Sequence, residues 1–250
     1  MKNNMELRHV FDLANRSYNN NQYTFTDFLT PAELGDFLDN LSDLPPCGYT
    51  IHGGYEGAER VVLRFGREAD LGYEESFPIV YVRIEPVNAK FAEDLIHRDV
   101  LGSIMNLGME REKLGDIIVK NGKIWVICLT SLASLITSEL TRIRHTTVYC
   151  KVEETLPEDL SPQFEELRIQ VAQARADAVV AKLCKLSRNG AATLFLEGKV
   201  AIGGRAMQNH SYILKEQDVV SVRGFGKYRY IRAEGTTKKG NNILLFERFV

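Results

Sequence analysis

Asn121-Gly122 stands between two β-rich runs, Asp116–Lys120 and Lys123–Leu129. Asn-Gly fits a two-residue turn with both central φ angles positive, whose twist matches that of the flanking strands. This hairpin fixes the middle of the chain and dates its neighbours. Ile79–Glu85 alternates as a strand should, Ala89–Met105 and Leu132–Thr141 carry helical periodicity, and Thr146–Val152 is again β-rich. The order is β-α-β-β-α-β, the split βαβ plan of ferredoxin-like domains.

The N-terminal segment is mixed. Glu6–Asn15 places Leu7, Val10, Phe11 and Ala14 on one helical face. Thr30-Pro31-Ala32-Glu33 predicts a capped helix start, running to about Ser42 before Pro45-Pro46. Gly53–Gly57 predicts a turn and Arg60–Phe65 a strand. The expected class is therefore α+β, with an α+β domain over 1–75 and a βαββαβ domain over 76–155. A linker helix follows over 156–174, opened by Ser161-Pro162, and a C-terminal module spans 175–250. RNA-recognition modules share the central plan, but Lys123–Cys128 lacks the basic-glycine-aromatic pattern that stacks bases.

Charge is unevenly spread. From Arg168 to Val250 there are fifteen Lys and Arg against six Asp and Glu, a surplus of +9. The chain totals −2, so the first 167 residues carry −11. A basic module on an acidic body points to a polyanionic partner. Within it, Arg175–Lys185 is amphipathic, Ser187 is placed to cap a second helix, and Gly198 to end it. Two short helices thus gather Arg175, Lys182, Lys185 and Arg188, with Lys199 and Arg205 on the strands that follow. Arg223-Gly224-Phe225-Gly226-Lys227 is a tight turn in which two cations bracket a ring. That ring either faces outward to stack on a base or folds back onto the sheet.

Arg175-Ala176-Asp177 through Val179-Val180-Ala181-Lys182-Leu183-Cys184-Lys185-Leu186-Ser187-Arg188, then Glu197-Gly198-Lys199-Val200 and Ile202-Gly203-Gly204-Arg205, resembles the S-four (alpha-L) RNA-binding domain. The resemblance implies that the basic residues of the two helices grip RNA backbone. Three further stretches resemble signatures of the YlmH family: Gly53-Gly54-Tyr55-Glu56-Gly57-Ala58-Glu59-Arg60, His97-Arg98-Asp99-Val100-Leu101-Gly102-Ser103 and Arg111-Glu112-Lys113-Leu114-Gly115-Asp116-Ile117. Ser221–Lys227 is a fourth. Nearly the whole chain is covered. The likeness implies a cytoplasmic protein that binds ribosomal RNA and P-site tRNA on the large ribosomal subunit, in quality control of stalled nascent chains. The family often has Asn at position 203 and Gly at position 217, where this chain has Gly203 and Gln217.

Other chemistry is weakly supported. Cys47, Cys128, Cys150 and Cys184 are scattered without a C-x-x-C pair, which suits reduced thiols rather than zinc. The five histidines show no ligand spacing. His97-Arg98-Asp99 lacks the companions of a kinase loop, and Gly53–Gly57 lacks the Gly-Lys-Ser/Thr of a phosphate loop. Asp177 in Arg-Ala-Asp is expected to cap or pair locally. No apolar run spans a membrane. The expectation is a monomeric, non-enzymatic RNA-binding protein without cofactor, metal or small-molecule substrate. The RNA contacts would be Arg175, Lys182, Lys185, Ser187, Arg188, Lys199, Arg205, Arg223, Phe225 and Lys227. The rival expectations are an RNA-modifying enzyme, which needs a catalytic site in the first 150 residues, and a cell-division adaptor.

Overall fold

The computed structural model describes residues 2–120, 122–157, 160 and 164–249. The chain divides into two units, Met1–Ser161 and Pro162–Val250. The first unit takes in both of the N-terminal domains expected from the sequence.

The first unit opens with α1 (Lys2–Asn20), β1 (Thr24–Phe25) and α2 (Pro31–Asp39). The cap at Thr30 is reciprocal: its hydroxyl accepts from the Glu33 N–H, and the Glu33 carboxylate accepts from the Thr30 N–H at 2.6 Å. α2 ends three residues before the expected Ser42 and continues as a 3-10 turn at Leu41–Asp43. Strands β2 (Tyr49–His52) and β3 (Val62–Phe65) complete a three-stranded sheet ordered β1-β3-β2, and α3 (Glu68–Leu71) follows. Val10, Leu13 and Ala14 of α1 pack with Phe37, Leu63 and Phe65 in its core.

The remainder of this unit runs β4 (Ile79–Pro86), α4 (His97–Met105), β5 (Leu114–Lys120), β6 (Lys123–Leu129), α5 (Thr130–Glu139), β7 (Arg142–Ile143) and β8 (Thr146–Glu153). The sheet is antiparallel throughout, in the order β5-β6-β4-β8-β7. Lys120 pairs with Lys123 across the predicted hairpin turn; Gly122 has φ +73°, and Asn121 lies outside the described residues. The helix expected over Ala89–Met105 is broken into a 3-10 turn at Ala89–Phe91 and α4. Glu93, between them, is held by the β7–β8 turn: its N–H donates to the Thr146 hydroxyl at 3.0 Å, and its carboxylate accepts from the His145 N–H at 3.1 Å. His97-Arg98-Asp99 forms the first turn of α4, where Asp99 accepts from the Ile96 N–H and pairs with Arg144 at 3.6 Å.

Both faces of the central sheet are covered. Val82, Ile84, Val126 and Cys128 pack under Val100, Ile104 and Ile136 of the helices. On the opposite face, Ile127 and Leu129 pack with Phe28 and Val62, and Tyr81 and Ile79 join them. β6 is consequently buried at six consecutive residues rather than at alternate ones.

Two of the quoted signature stretches meet on that second face. The Asp116 carboxylate accepts from the Tyr55 hydroxyl at 2.7 Å, the Glu59 N–H at 2.7 Å and the Arg60 N–H at 3.2 Å. The Arg60 guanidinium, buried in a residue only 9% exposed, donates to the carbonyls of Leu114 and Phe28, each at 2.8 Å. Arg60 does not turn to Glu56; burial lowers its pKa, and Glu33, Asp116 and Glu112 oppose that fall. Gly115 must be glycine, because a Cβ there would lie 2.8 Å from the Phe28 ring. Tyr55 and Arg60 are therefore internal ties rather than groups presented to a partner.

The second unit begins where a linker helix was expected, and that expectation fails. Phe164–Val171 is a strand, β9, and the Ser161-Pro162 helix start lies outside the described residues. Leu167, Ile169 and Val171 alternate toward the core, and the strand pairs with the C-terminal residues along its full length. Glutamates at 165 and 166 favour helix weakly, and tertiary pairing overrides them. Then come α6 (Ala176–Leu183), α7 (Arg188–Leu196), β10 (Val200–Ile202), β11 (Arg205–Ala206), β12 (Val219–Val222), β13 (Gly226–Thr236) and β14 (Asn242–Phe249). The sheet order is β11-β10-β12-β13-β14-β9, and both helices pack on one face over Val200, Val220, Val222, Tyr228, Tyr230 and Phe246. Asp116→Ala strands three donors in the first unit and is expected to cost about 2–4 kcal/mol, read as a lowered denaturant midpoint of that unit.

Candidate nucleic-acid interface

The turn between α6 and α7 is built by backbone hydrogen bonds. The Leu186 N–H donates to the Ala181 carbonyl at 2.8 Å, and the Lys185 N–H to that of Lys182 at 3.3 Å. This is the double bond of a Schellman motif, and it requires the residue after the cap to be left-handed. Lys185 takes that conformation at φ +55°, where glycine is favoured. The same motif ends α7, with Lys199 and Gly198 donating to Leu194 and Phe195; there the left-handed residue is Gly198 at φ +64°. Ser187 then caps α7 by accepting from the Gly190 N–H at 3.1 Å. Ser187 is thus a framing residue that turns Lys185 and Arg188 outward.

The ten residues expected to contact RNA fall into three groups. Lys182, Lys185 and Arg188 are exposed and make no ion pair among the described residues. Arg175, just before α6, is tied by two bonds to the Asp177 carboxylate, at 2.9 and 3.1 Å, and donates to the Ser211 hydroxyl. The Arg175 hydrogen bond chiefly holds Asp177 below the usual carboxylate range, and Arg188 adds to that. Arg175 therefore anchors the start of α6 while part of its guanidinium stays open.

The second group sits at the end of β10 and β12. The Arg223 N–H donates to the Lys199 carbonyl at 2.9 Å, so these two cations are neighbours across the ladder. Lys199 pairs with Glu197 at 2.7 Å, whereas Arg223 is exposed without an ion pair among the described residues. Arg205, half-buried on β11, pairs across from Ile202. The third group departs from the expectation. Phe225 is half-buried against the core of the unit, so its ring folds back rather than standing free. Lys227 precedes the buried Tyr228 and therefore projects from the helix-free face of the sheet, where its ammonium lies 4.7 Å from the centre of the Phe249 ring.

The two departures from the family pattern differ in consequence. Gly203 and Gly204, at φ +57° and +77°, form the β10–β11 turn, the geometry that Asn-Gly also satisfies. Gln217 stands at φ +72°, a left-handed position that glycine would hold without strain. Its N–H donates to the Tyr230 carbonyl at 2.7 Å, which fixes the strained turn onto β13.

A groove of about 370 Å³ opens beside α6, with Lys182 and Arg188 among its lining residues. Gln170 and Asn241 also line it. Neither was visible in the sequence, because β9 was read as helix and β14 was not recognised. The cysteines offer no nucleophile: burial pushes the Cys128 thiol up to about 12 and the Cys150 and Cys184 thiols up to about 11. No helix among the described residues is long and apolar enough to cross a membrane.

Comparison with known proteins adds the following. Residues 2–69 match the family model described as "YlmH, N-terminal" and residues 73–156 the one described as "Putative RNA-binding domain in YlmH". The chain is 30% identical over 229 residues to "Ribosome-associated protein quality control protein P2" of Bacillus subtilis (strain 168), covering 89% of this chain and 86% of that protein. A solved structure, "Cell division protein ylmH from Streptococcus pneumoniae", aligns with 61% of this chain and 92% of its own at 18% identity and a TM-score of 0.48. Replacing Gln217 with Gly is expected to raise the stability of the second unit by up to about 1 kcal/mol, measured as an upward shift in denaturation midpoint.

Proposed function

This chain belongs to the YlmH family, and from that membership we propose that it is a non-enzymatic RNA-binding protein of the ribosome. It engages large-subunit ribosomal RNA and P-site tRNA during quality control of stalled nascent chains. Its RNA-gripping part is the second unit, an S-four domain, and its central part is a ferredoxin-like domain. The observation that carries this reading is the α6–α7 turn, which presents Lys182, Lys185 and Arg188 without carboxylate partners among the described residues. A cation already neutralised by a neighbour has less to gain from a phosphate; these three keep their full attraction. Arg223, beside Lys199, extends the charge along the end of the sheet. Arg175 acts through position, holding the start of α6.

Lys185 supports the reading from a different direction. A left-handed lysine costs the fold roughly 1 kcal/mol that glycine would save. The conformation aims a cation outward at the turn. The central sheet contributes differently from an RNA-recognition module, because its second face already carries Phe28, Tyr81 and Ile127 in a common core. The ribosome-associated name of the Bacillus subtilis relative, and the description of the 73–156 model, support RNA or ribosome partners.

The test is sucrose-gradient sedimentation of lysate containing the full chain. Wild type is expected with free large subunits, and Lys182→Ala/Arg188→Ala at the top of the gradient. With purified RNA, the same double variant should reduce the slope of log affinity against log salt by about 1.5–2. Lys185→Gly separates function from folding: it should be at least as stable as wild type yet bind RNA several-fold more weakly. Wild type that stays at the top at low salt would remove the ribosomal assignment.

A further inference from the structure

We propose that the groove beside α6 is a pocket for one unstacked nucleotide of the bound RNA; the inference rests on the RNA-binding function proposed above. At about 370 Å³ it lies at the small-ligand end of binding cavities, which run from roughly 300 to 1,000 Å³. Its composition suits a nucleotide in three respects. Ala178 and Ala181 supply a small apolar wall against which a base can lie flat. Gln170 and Asn241 each bring a carboxamide, which offers a donor and an acceptor to a base edge. Lys182 and Arg188 bring charge for the flanking phosphates, and no carboxylate lines the groove to repel them.

The pocket is preformed by tertiary contacts. Gln170 belongs to β9, whose neighbour Val171 pairs with Asn242 of β14. The Asn242 carboxamide also donates to the Ala172 carbonyl at 3.0 Å, closing the β9 end against the turn that carries Asn241. Asn241 is fixed in turn, its N–H donating to the Thr237 hydroxyl at 3.1 Å. The carboxamides and the cations thus sit on different elements that meet at one opening. A nucleotide extruded from a helix can enter it, while the paired bases on either side cannot leave their stacks. The module would then read a bulge or junction in addition to backbone charge.

The experiment compares three RNA hairpins of identical stem: one with a single-nucleotide bulge, one fully paired, and one with an abasic residue at the bulge. Full-length wild type is expected to bind the bulged hairpin about tenfold more tightly than the other two, the worth of one or two base hydrogen bonds. Gln170→Ala/Asn241→Ala changes only surface side chains and should bind all three equally, at the wild-type level for the paired stem. Equal, salt-dependent binding of all three hairpins by wild type would overturn the pocket and leave the RNA-binding function standing. Preference for the abasic bulge equal to that for the intact one would also overturn it, since bending rather than base capture would then be read. No binding to any hairpin would overturn both.

Discussion

Asp116 and Arg60 hold the N-terminal segment against the central sheet, and much of the first unit follows from that arrangement. A buried guanidinium is costly unless its donors are met. Here carbonyls of Phe28 and Leu114 meet them, while the Asp116 carboxylate gathers three donors from the Tyr55–Arg60 turn. Each group needs the other segment to be in place. The ties also require small neighbours: a Cβ at Gly53 would sit 2.5 Å from the Arg60 carbonyl oxygen. Residues that looked like a surface motif are therefore interior fastenings.

Covering the sheet has a consequence for RNA recognition. RNA-recognition modules stack bases on the open face of a four-stranded sheet. In this chain Tyr81 and Ile127 of that face pack with Phe28 and Val62, and Trp125 is only 4% exposed. The Tyr81 hydroxyl is spent on the Gly54 carbonyl at 2.5 Å. A base would have to displace the N-terminal segment to reach the central strands. Charge follows the same division, since the acidic excess lies in the first 167 residues and the basic excess in the rest.

In the second unit the strands decide where the cations go. β14 pairs with β13 on one side and β9 on the other, which draws the two ends of the unit together. Helices α6 and α7 lie on one face of that sheet, and Lys182, Lys185 and Arg188 come from them. Lys227 lies on the other face, stacked on Phe249 beside Arg229, whose guanidinium is 5.1 Å from the centre of the Phe164 ring. A linear count of basic residues merges these two surfaces. Strand alternation separates them.

The sequence by itself determined the α6–α7 turn, the Thr30 cap, the β-α-β-β-α-β order and the charge surplus, because each rests on local geometry or on composition. A Ser before a helix or an apolar period needs no distant partner to be recognised. Tertiary structure alone decided that Phe164–Val171 is a strand, because its stability comes from pairing with residues some eighty positions away. It decided that Phe225 folds inward, since the ring's choice depends on what core lies within reach. It likewise turned Gly53–Arg60 into a fastening, and brought Gln170 and Asn241 beside Lys182. Each of those outcomes depends on which surfaces meet, and a one-dimensional pattern does not carry that.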